Sequence, residues 1–378
     1  MAVPLLDLKA QYRSLEPQIQ EAVRRVFASQ QFVLGEEVAA LEKELSRYLG
    51  GCEAVGVASG TDALLLALMA LEISDGDEVI TTPYSFFATA GAIHRAGARP
   101  VFVDIDPETY LIRPELVSRA VTSRTRAILP VHLFGQMADM EPILDLSRKR
   151  GLAVIEDAAQ AIGASAPVAG RPMQAGTAGT FGCFSFFPTK NLGGAGDGGL
   201  VTTQDRELSE RIRQLRRHGE ESTYVHARVG LNSRLDALQA AVLRIKLPHL
   251  DSWNAAREAN AARYGKLFEE AGLLREDGPV ALPRARSGAR HTFHQYVIRA
   301  HRRDDLLAAL RAAGIGCAVY YPIPLHLQRC FATLRHHRGD FPVSETASST
   351  TLALPVYPEL TEAQQREVVG VIRAFYAH

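Results

Sequence analysis

The amino-acid sequence predicts an α/β protein with a large unit and a smaller C-terminal α+β unit. The large unit is built on a mostly parallel sheet flanked by helices. Three observations carry this. Short, continuously apolar strands alternate with amphipathic helices between Val55 and Thr203, the pattern of strands buried on both faces. The last hundred residues mix helices with a few isolated strands. At 378 residues the chain is also too long for one small core.

Taken in order, apolar positions at helical spacing predict helices over Leu15–Phe27 and Glu36–Leu49, the second closed by Gly50-Gly51. Val55–Ala58 is a strand, and Ser59-Gly60-Thr61-Asp62 opens a third helix. Strands at 78–81, 100–103, 127–131 and 152–156 then alternate with helices at 87–96, 114–120 and 140–150; Pro114 and Gly151 mark the start of one helix and the end of another. An apolar run ends at Pro188, and Leu200–Thr203 is the next strand. Helices follow at 206–217, 233–245 and 250 to about 274; the last is long enough to bridge two units. The segment 278–290, rich in Pro, Gly and Arg, reads as a linker or extended loop. Beyond it come strands at 295–299, 316–320 and 352–354, and helices at 304–313, 343–350 and 361–376. The domains expected are residues 1–249 and 250–378.

Lys+Arg and Asp+Glu both number 42, so no global basic field draws in nucleic acid. Basic clusters at 211–217 and 284–290 read as solvated faces, or as sites for a small anion. The four cysteines have no C-x-x-C spacing, which suggests neither zinc nor a redox motif. The N-terminal stretch has no signal pattern, and the most apolar run, Ala63–Leu71, is too short to span a bilayer. These features point to a cytoplasmic enzyme with reduced thiols and no membrane partner.

Lys190 stands between Pro188 and the glycine-dense Gly193–Gly199. A lysine at the lip of a sheet, its stem against aromatics, has the desolvated setting a Schiff-base lysine needs; a surface lysine beside a mobile loop is the plainer alternative. Ser59-Gly60-Thr61 joins a strand to a helix, so its amides suit a phosphate or simply a helix cap. Asp157 ends an apolar strand and needs a partner, either a protonated ring nitrogen or an arginine. Phe86, at a strand-to-helix junction, stacks on a flat heterocycle or fills the core. Ser185 reaches a phosphate or satisfies a turn. An anion cradle, a ring stacker, a carboxylate for a ring nitrogen and an imine-forming lysine together match the needs of pyridoxal 5'-phosphate. The motifs G-x-S-x-G, H-E-x-x-H and G-x-x-x-x-G-K-[ST] are absent.

Ordered stretches along nearly the whole chain resemble the DegT/StrS family of pyridoxal-phosphate-dependent sugar aminotransferases. They are Ser59–Leu64, Thr82–Thr89, Pro100–Asp106, Glu156–Gln160, Phe184–Gly193, Gly230–Asp236 and Tyr321–His326. The resemblance implies the fold-type I aminotransferase architecture and a homodimer with shared active sites. It implies Lys190 as imine lysine and proton shuttle, Asp157 on the pyridine nitrogen, Gln160 on the ring hydroxyl and Phe86 stacked on the ring. Gly60, Thr61 and Ser185 would hold the phosphate, with Asn232 reaching it from the other subunit. His326 and Tyr321 would face substrate. The implied reaction moves an amino group from L-glutamate to a nucleotide-linked keto-deoxysugar. The opening Leu5–Tyr12 is similar to members acting at C3 rather than C4. Relatives that deoxygenate sugars carry histidine in place of the lysine, so Lys190 argues against a dehydratase. A dehydratase or aromatising enzyme of the same family and a non-catalytic sugar-nucleotide sensor are the alternatives. Ile162 departs from the histidine or serine of many relatives.

Overall fold

Residues 3–275 and 278–377 are described by the computed structural model; residues 1, 2 and 378, at the ends of the two expected domains, and 276–277 lie outside the described residues. Two helices lead, α1 (Leu8–Ser29) and α2 (Gly35–Tyr48). The alternating region follows as β1 (Glu53–Val57), α3 (Gly60–Ala70), β2 (Glu78–Thr81), α4 (Ala88–Arg95), β3 (Arg99–Phe102), α5 (Pro114–Ala120), β4 (Thr125–Ile128), α6 (Met140–Arg150) and β5 (Ala153–Asp157). A hairpin, β6 (Ser165–Val168) and β7 (Arg171–Gln174), precedes β8 (Phe181–Ser185) and β9 (Gly199–Thr203).

The central sheet runs β1-β9-β8-β5-β4-β2-β3. Every pairing is parallel except those of β9, which lies antiparallel between β1 and β8. The expected mixed, mostly parallel sheet is therefore present, with the direction of β9 reversed by the loop that carries Lys190. Ala127 pairs with Ala153, and Asp157 lies opposite Cys183, so the carboxyl ends of β4, β5 and β8 open at one edge. That edge is where ligands bind in such sheets. Apolar side chains cover both faces, with Val57, Leu66 and Ile155 in one cluster and Ile80, Ile128 and Phe184 in the other, all at most 1 % exposed.

After α7 (Arg206–Leu215) comes a two-stranded hairpin, β10 (Glu220–Ser222) and β11 (Val225–His226), absent from the expected elements. Helices α8 (Ala237–Lys246) and α9 (Leu250–Glu270) follow. The C-terminal unit holds β12 (Val280–Ala281), β13 (Tyr296–Ala300), α10 (Arg303–Ala312), α11 (Pro342–Thr350), β14 (Thr351–Leu354) and α12 (Glu362–Tyr376). Its antiparallel sheet runs β12-β13-β14. The strand expected at Gly316–Tyr320 reduces to one bridge, Ala318 to Ala353. The remaining residues peel off the sheet edge, where Tyr321 packs its ring toward Tyr84 and Phe86 and the Tyr320 ring lies edge-on to it.

Helix α9 bonds to groups on both sides of the expected boundary. Asn254, near its start, donates to Ile162 O, whereas Arg257 and Asn260 donate to Val356 O and Tyr357 O. Val3 sits in the C-terminal core, its N–H bonded to Gly314 O, although the boundary read from sequence assigns it to the large unit. Asp104 caps α11 from a distance, accepting from the Val343 and Ser344 amides. Most of the basic clusters are ion-paired: Arg213 and Arg216 with Glu42, Arg217 with Glu220, Arg286 with Asp139 and Arg290 with Glu258. Among the described residues no helix is long and apolar enough to cross a membrane.

Candidate active site

Strand β5 delivers two consecutive carboxylates, which a strand points to opposite faces. Asp157 is 6 % exposed and accepts from Thr89 Oγ1 at 2.8 Å and from the Ala159 amide at 3.2 Å. Burial raises its pKa above the ordinary carboxylate range; the two hydrogen bonds and the nearby Lys190 charge oppose this. Ser85 extends the chain of donors by bonding Thr89 at 2.8 Å.

Lys190 follows β8 in a loop tied by its own backbone. Its N–H donates to Phe187 O at 2.8 Å, and Gly194 N–H donates to Phe186 O at 2.8 Å. The glycines here provide room rather than unusual dihedrals. A Cβ on Gly193 would lie 2.3 Å from Pro188 O, and one on Gly199 would lie 2.4 Å from Ser59 O. Buried Lys246 donates to Gly193 O at 2.7 Å. Next to the lysine, Asn191 bonds Asn254, the Thr292 carbonyl and His294. The loop is thus held from behind by α8, α9 and the run into β13. Burial lowers the Lys190 ammonium to about 8, with Asp157 pulling the other way. The two groups feel each other's charge.

Gln160 is committed at both ends of its amide: Oε1 accepts from the Phe134 amide and Nε2 donates to Tyr321 Oη, each at 2.8 Å. Tyr321 in turn feels the Asp157 charge, and its ring centroid lies 6.3 Å from that of Phe86. Phe86 is 56 % exposed, so it does not fill the core. At the start of α3 the cap is Ser59, whose Oγ accepts from Asp62 N–H. The Gly60 and Thr61 amides remain in the first turn, where no helix carbonyl can reach them. A Cβ on Gly60 would stand 2.6 Å from Ser185 Cβ, so the two residues face each other across a gap only glycine leaves open.

The structure therefore gathers Lys190, Asp157, Gln160, Tyr321 and Phe86, and brings Gly60 and Thr61 to Ser185. Asn232 is exposed beside them, on a cleft of about 580 Å³ shared with Ser59 and Arg234. His326 is set apart: it is 2 % exposed, with Nε2 3.1 Å from Glu345 and its ring against Phe341. Ile162 is buried and lends its carbonyl to Asn254. Sequence reasoning missed the supports. His132 takes the Ala138 amide on Nδ1 and so donates from Nε2 to Glu156, and Thr89 steadies Asp157. Thr89 lay within a quoted motif, but nothing local ties it to a residue 68 positions on.

The arrangement fits pyridoxal 5'-phosphate. Gly60 leaves the space a phosphate needs beside the first-turn amides, Phe86 offers an open aromatic face, and Asp157 is a buried carboxylate held by one hydroxyl and one amide.

Residues 13–373 match the model of the DegT/DnrJ/EryC1/StrS aminotransferase family. A pleiotropic regulatory protein of Geobacillus stearothermophilus is 50 % identical over 379 residues, covering 100 % of both chains. The UDP-N-acetyl-3-dehydro-alpha-D-glucosamine 3-aminotransferase of Acidithiobacillus ferrooxidans is 46 % identical over 372 residues, 98 % of this chain and 97 % of that one. The crystal structure of S. venezuelae DesV in complex with a ketimine intermediate superposes with a TM-score of 0.94 at 42 % identity, covering 100 % of this chain and 99 % of that chain.

Proposed function

The chain belongs to the DegT/DnrJ/EryC1/StrS aminotransferase family and is a pyridoxal-phosphate-dependent aminotransferase; we propose that it carries an amino group from L-glutamate to C3 of a nucleotide-linked keto-deoxysugar. The observation that carries the reading is the coupled pair of Lys190 and Asp157 at the carboxyl edge of the sheet, each biasing the other's proton. The C3 assignment draws support from the relative named as a 3-aminotransferase of a UDP-linked 3-dehydro sugar.

When bound, pyridoxal phosphate supplies an aldehyde that takes up the donor's amine and a protonated ring that draws electrons from the adjacent carbon. The chain does the rest. Asp157 would hold a proton on the ring nitrogen, since a carboxylate in a desolvated pocket favours a cation beside it. Lys190, with its ammonium lowered to about 8, sheds its proton readily enough to take one from the donor's α-carbon. The amides of Gly60 and Thr61 and the Ser185 hydroxyl would hold the phosphate, and Phe86 would cover the ring face. Tyr321, bonded to Gln160, closes the wall on the substrate side.

We take the working form to be a homodimer in the cytoplasm. Tyr224 and Val229, each 90 % exposed around the β10–β11 hairpin, support a covering second copy that would bring Asn232 to the neighbouring phosphate. Four free cysteines support a reducing compartment. In this reading residues 1–249 bind the cofactor and 250–378 form the smaller unit that closes over substrate. The test is incubation with L-glutamate and a panel of UDP- and dTDP-linked 3-keto and 4-keto sugars. Formation of 2-oxoglutarate with a 3-keto sugar is expected; none with any sugar sinks the reading.

The regulatory name of the 50 % identical relative favours one second reading, a sugar-nucleotide sensor that keeps the fold. Lys190→Ala separates the two: unchanged biological output supports the sensor, and loss of output supports the enzyme.

A further inference from the structure

We propose that Arg257 and the cavity it lines, under the residue that precedes Lys190, form the seat for the α-carboxylate of the amino donor. The inference rests on the aminotransferase reading above and adds where the first substrate is gripped.

Arg257 lies on α9 and is 4 % exposed. Its hydrogen bonds run from Nη1 to main-chain carbonyls: Val356 at 2.8 Å, Phe293 at 3.3 Å and His294 at 3.5 Å. These hold one edge of the guanidinium and supply no negative charge. The carboxylate it feels is Glu359, which acts on it through space without a hydrogen bond. Burial draws the group's pKa down to about 10, as befits a desolvated cation short of a counter-ion. A buried guanidinium is a fork suited to a carboxylate.

The cavity beside it measures about 90 Å³ and is walled by Leu5, Leu6, Thr189, His294 and Gln295. That is about the room of three waters. It suits a carboxylate and is too small for a sugar nucleotide. A second unpartnered group lines the same space, because Gln295 Oε1 is buried with no hydrogen-bond partner. An amide turned about its last bond offers Nε2 at that place instead, a donor to the same anion. The cavity adjoins the reacting lysine. Thr189 precedes Lys190, and His294 on the opposite wall bonds Asn191 and feels the Lys190 charge. An α-carboxylate seated here turns the neighbouring α-carbon and amine toward that lysine. The keto-deoxysugar of the proposed function has no α-amino carboxylate to seat here, so one catalytic centre can take two unlike substrates in turn.

The experiment follows the two half-reactions separately on holoenzyme: cofactor absorbance and 2-oxoglutarate for a panel of L-amino acids, and amine uptake for whichever keto sugar nucleotide the wild type consumes. Arg257→Lys should raise the half-saturating L-glutamate concentration about tenfold to a hundredfold, and Gln295→Leu about threefold to tenfold. Cofactor content and the sugar half-reaction should stay within about twofold of wild type. An unchanged glutamate dependence, or an equal fall in both half-reactions, overturns the proposal. If Arg257→Lys does not fold, Gln295→Leu alone decides by the same criteria; where it folds, it governs. A wild-type enzyme active with some amino acid yet indifferent to both variants refutes this site and leaves the proposed function standing. One inert with every amino acid refutes the proposed function as well.

Discussion

Glu156 and Asp157 are neighbours on β5, equally acidic in the sequence and both buried, yet the fold treats them in opposite ways. Glu156 is fully enclosed and fully paired. Its oxygens accept from His132 at 2.7 Å and from the amides of Gly176, Ala178 and Gly179 at 2.9, 2.8 and 2.6 Å. It stitches the 132–138 turn to the turn before β8, with no capacity left over. Asp157, one residue on and on the other face, has Thr89 and one amide, and burial pushes its pKa upward. A closed carboxylate is a brace; one left with less than its share of donors is waiting for a cation. That difference, rather than burial or charge, marks which of the two would meet the cofactor in the proposed function.

The largest expected effects lie on the open side. Lys190→Ala should lower turnover roughly 10²- to 10⁴-fold, the span of a lost acid–base group, while the melting temperature stays level or rises because a desolvated ammonium has gone. Asp157→Asn should likewise collapse turnover with little loss of stability. Glu156→Gln should do the reverse, because the new amide nitrogen faces backbone N–H groups that then lack an acceptor. We expect a loss of about 3 kcal/mol in denaturant unfolding, with near-normal turnover per folded, cofactor-loaded molecule. If Glu156→Gln lost activity while keeping its stability, the contrast between brace and open carboxylate would fail.

Much of this was legible before any coordinates. The order of strands and helices follows from local periodicity, and the residues gathered at the sheet edge each sit at a strand end, where α/β sheets bind ligands. What was not legible is what depends on distant partners. The brace at Glu156 joins residues 20 to 24 apart, and the support of Asp157 by Thr89 spans 68. The reversed β9 could not be read because an apolar run carries no direction; only the loop that brings the chain back sets it. His326 lies in a quoted motif, but its pairing with Glu345 and packing on Phe341 take it into the C-terminal side of the molecule. A mobile, glycine-rich loop beside Lys190 was the plainer of the two alternatives the sequence offers. Those glycines instead permit close packing against Pro188 and Ser59.

The contrast also has a pH signature on the open side. Imine formation with pyridoxal phosphate needs the neutral amine of Lys190, so the rate of reconstitution of apo-protein should climb through a midpoint of about 8 rather than the ordinary 10.5. Asp157 raises the lysine's pKa, so Asp157→Asn should move the midpoint lower still. The sign for stability follows. Below about 8 the lysine is protonated whether folded or unfolded, and the cost of its burial is present in full. Between about 8 and 10.5 the folded apo-protein sheds the proton and that cost fades. Wild type should therefore gain stability relative to Lys190→Met across that window; a parallel pH course for the two proteins would contradict the desolvated lysine.

The smallest effect tests the idea at its finest grain. Thr89→Val keeps the size and branching of the side chain and removes one hydrogen bond to Asp157, leaving the Ala159 amide as its donor. A hydrogen bond to a charged group is worth about 1.5 kcal/mol at the lower end, so turnover should fall by only about tenfold. The direction is informative. Losing a donor to the charged form lets burial push the Asp157 pKa further up, which weakens its hold on a protonated ring nitrogen. The loss should therefore be greater at acid pH, where a weakened carboxylate is protonated first, and should shrink as pH rises. A pH-independent loss would mean that Thr89 shapes the pocket and does not tune the carboxylate.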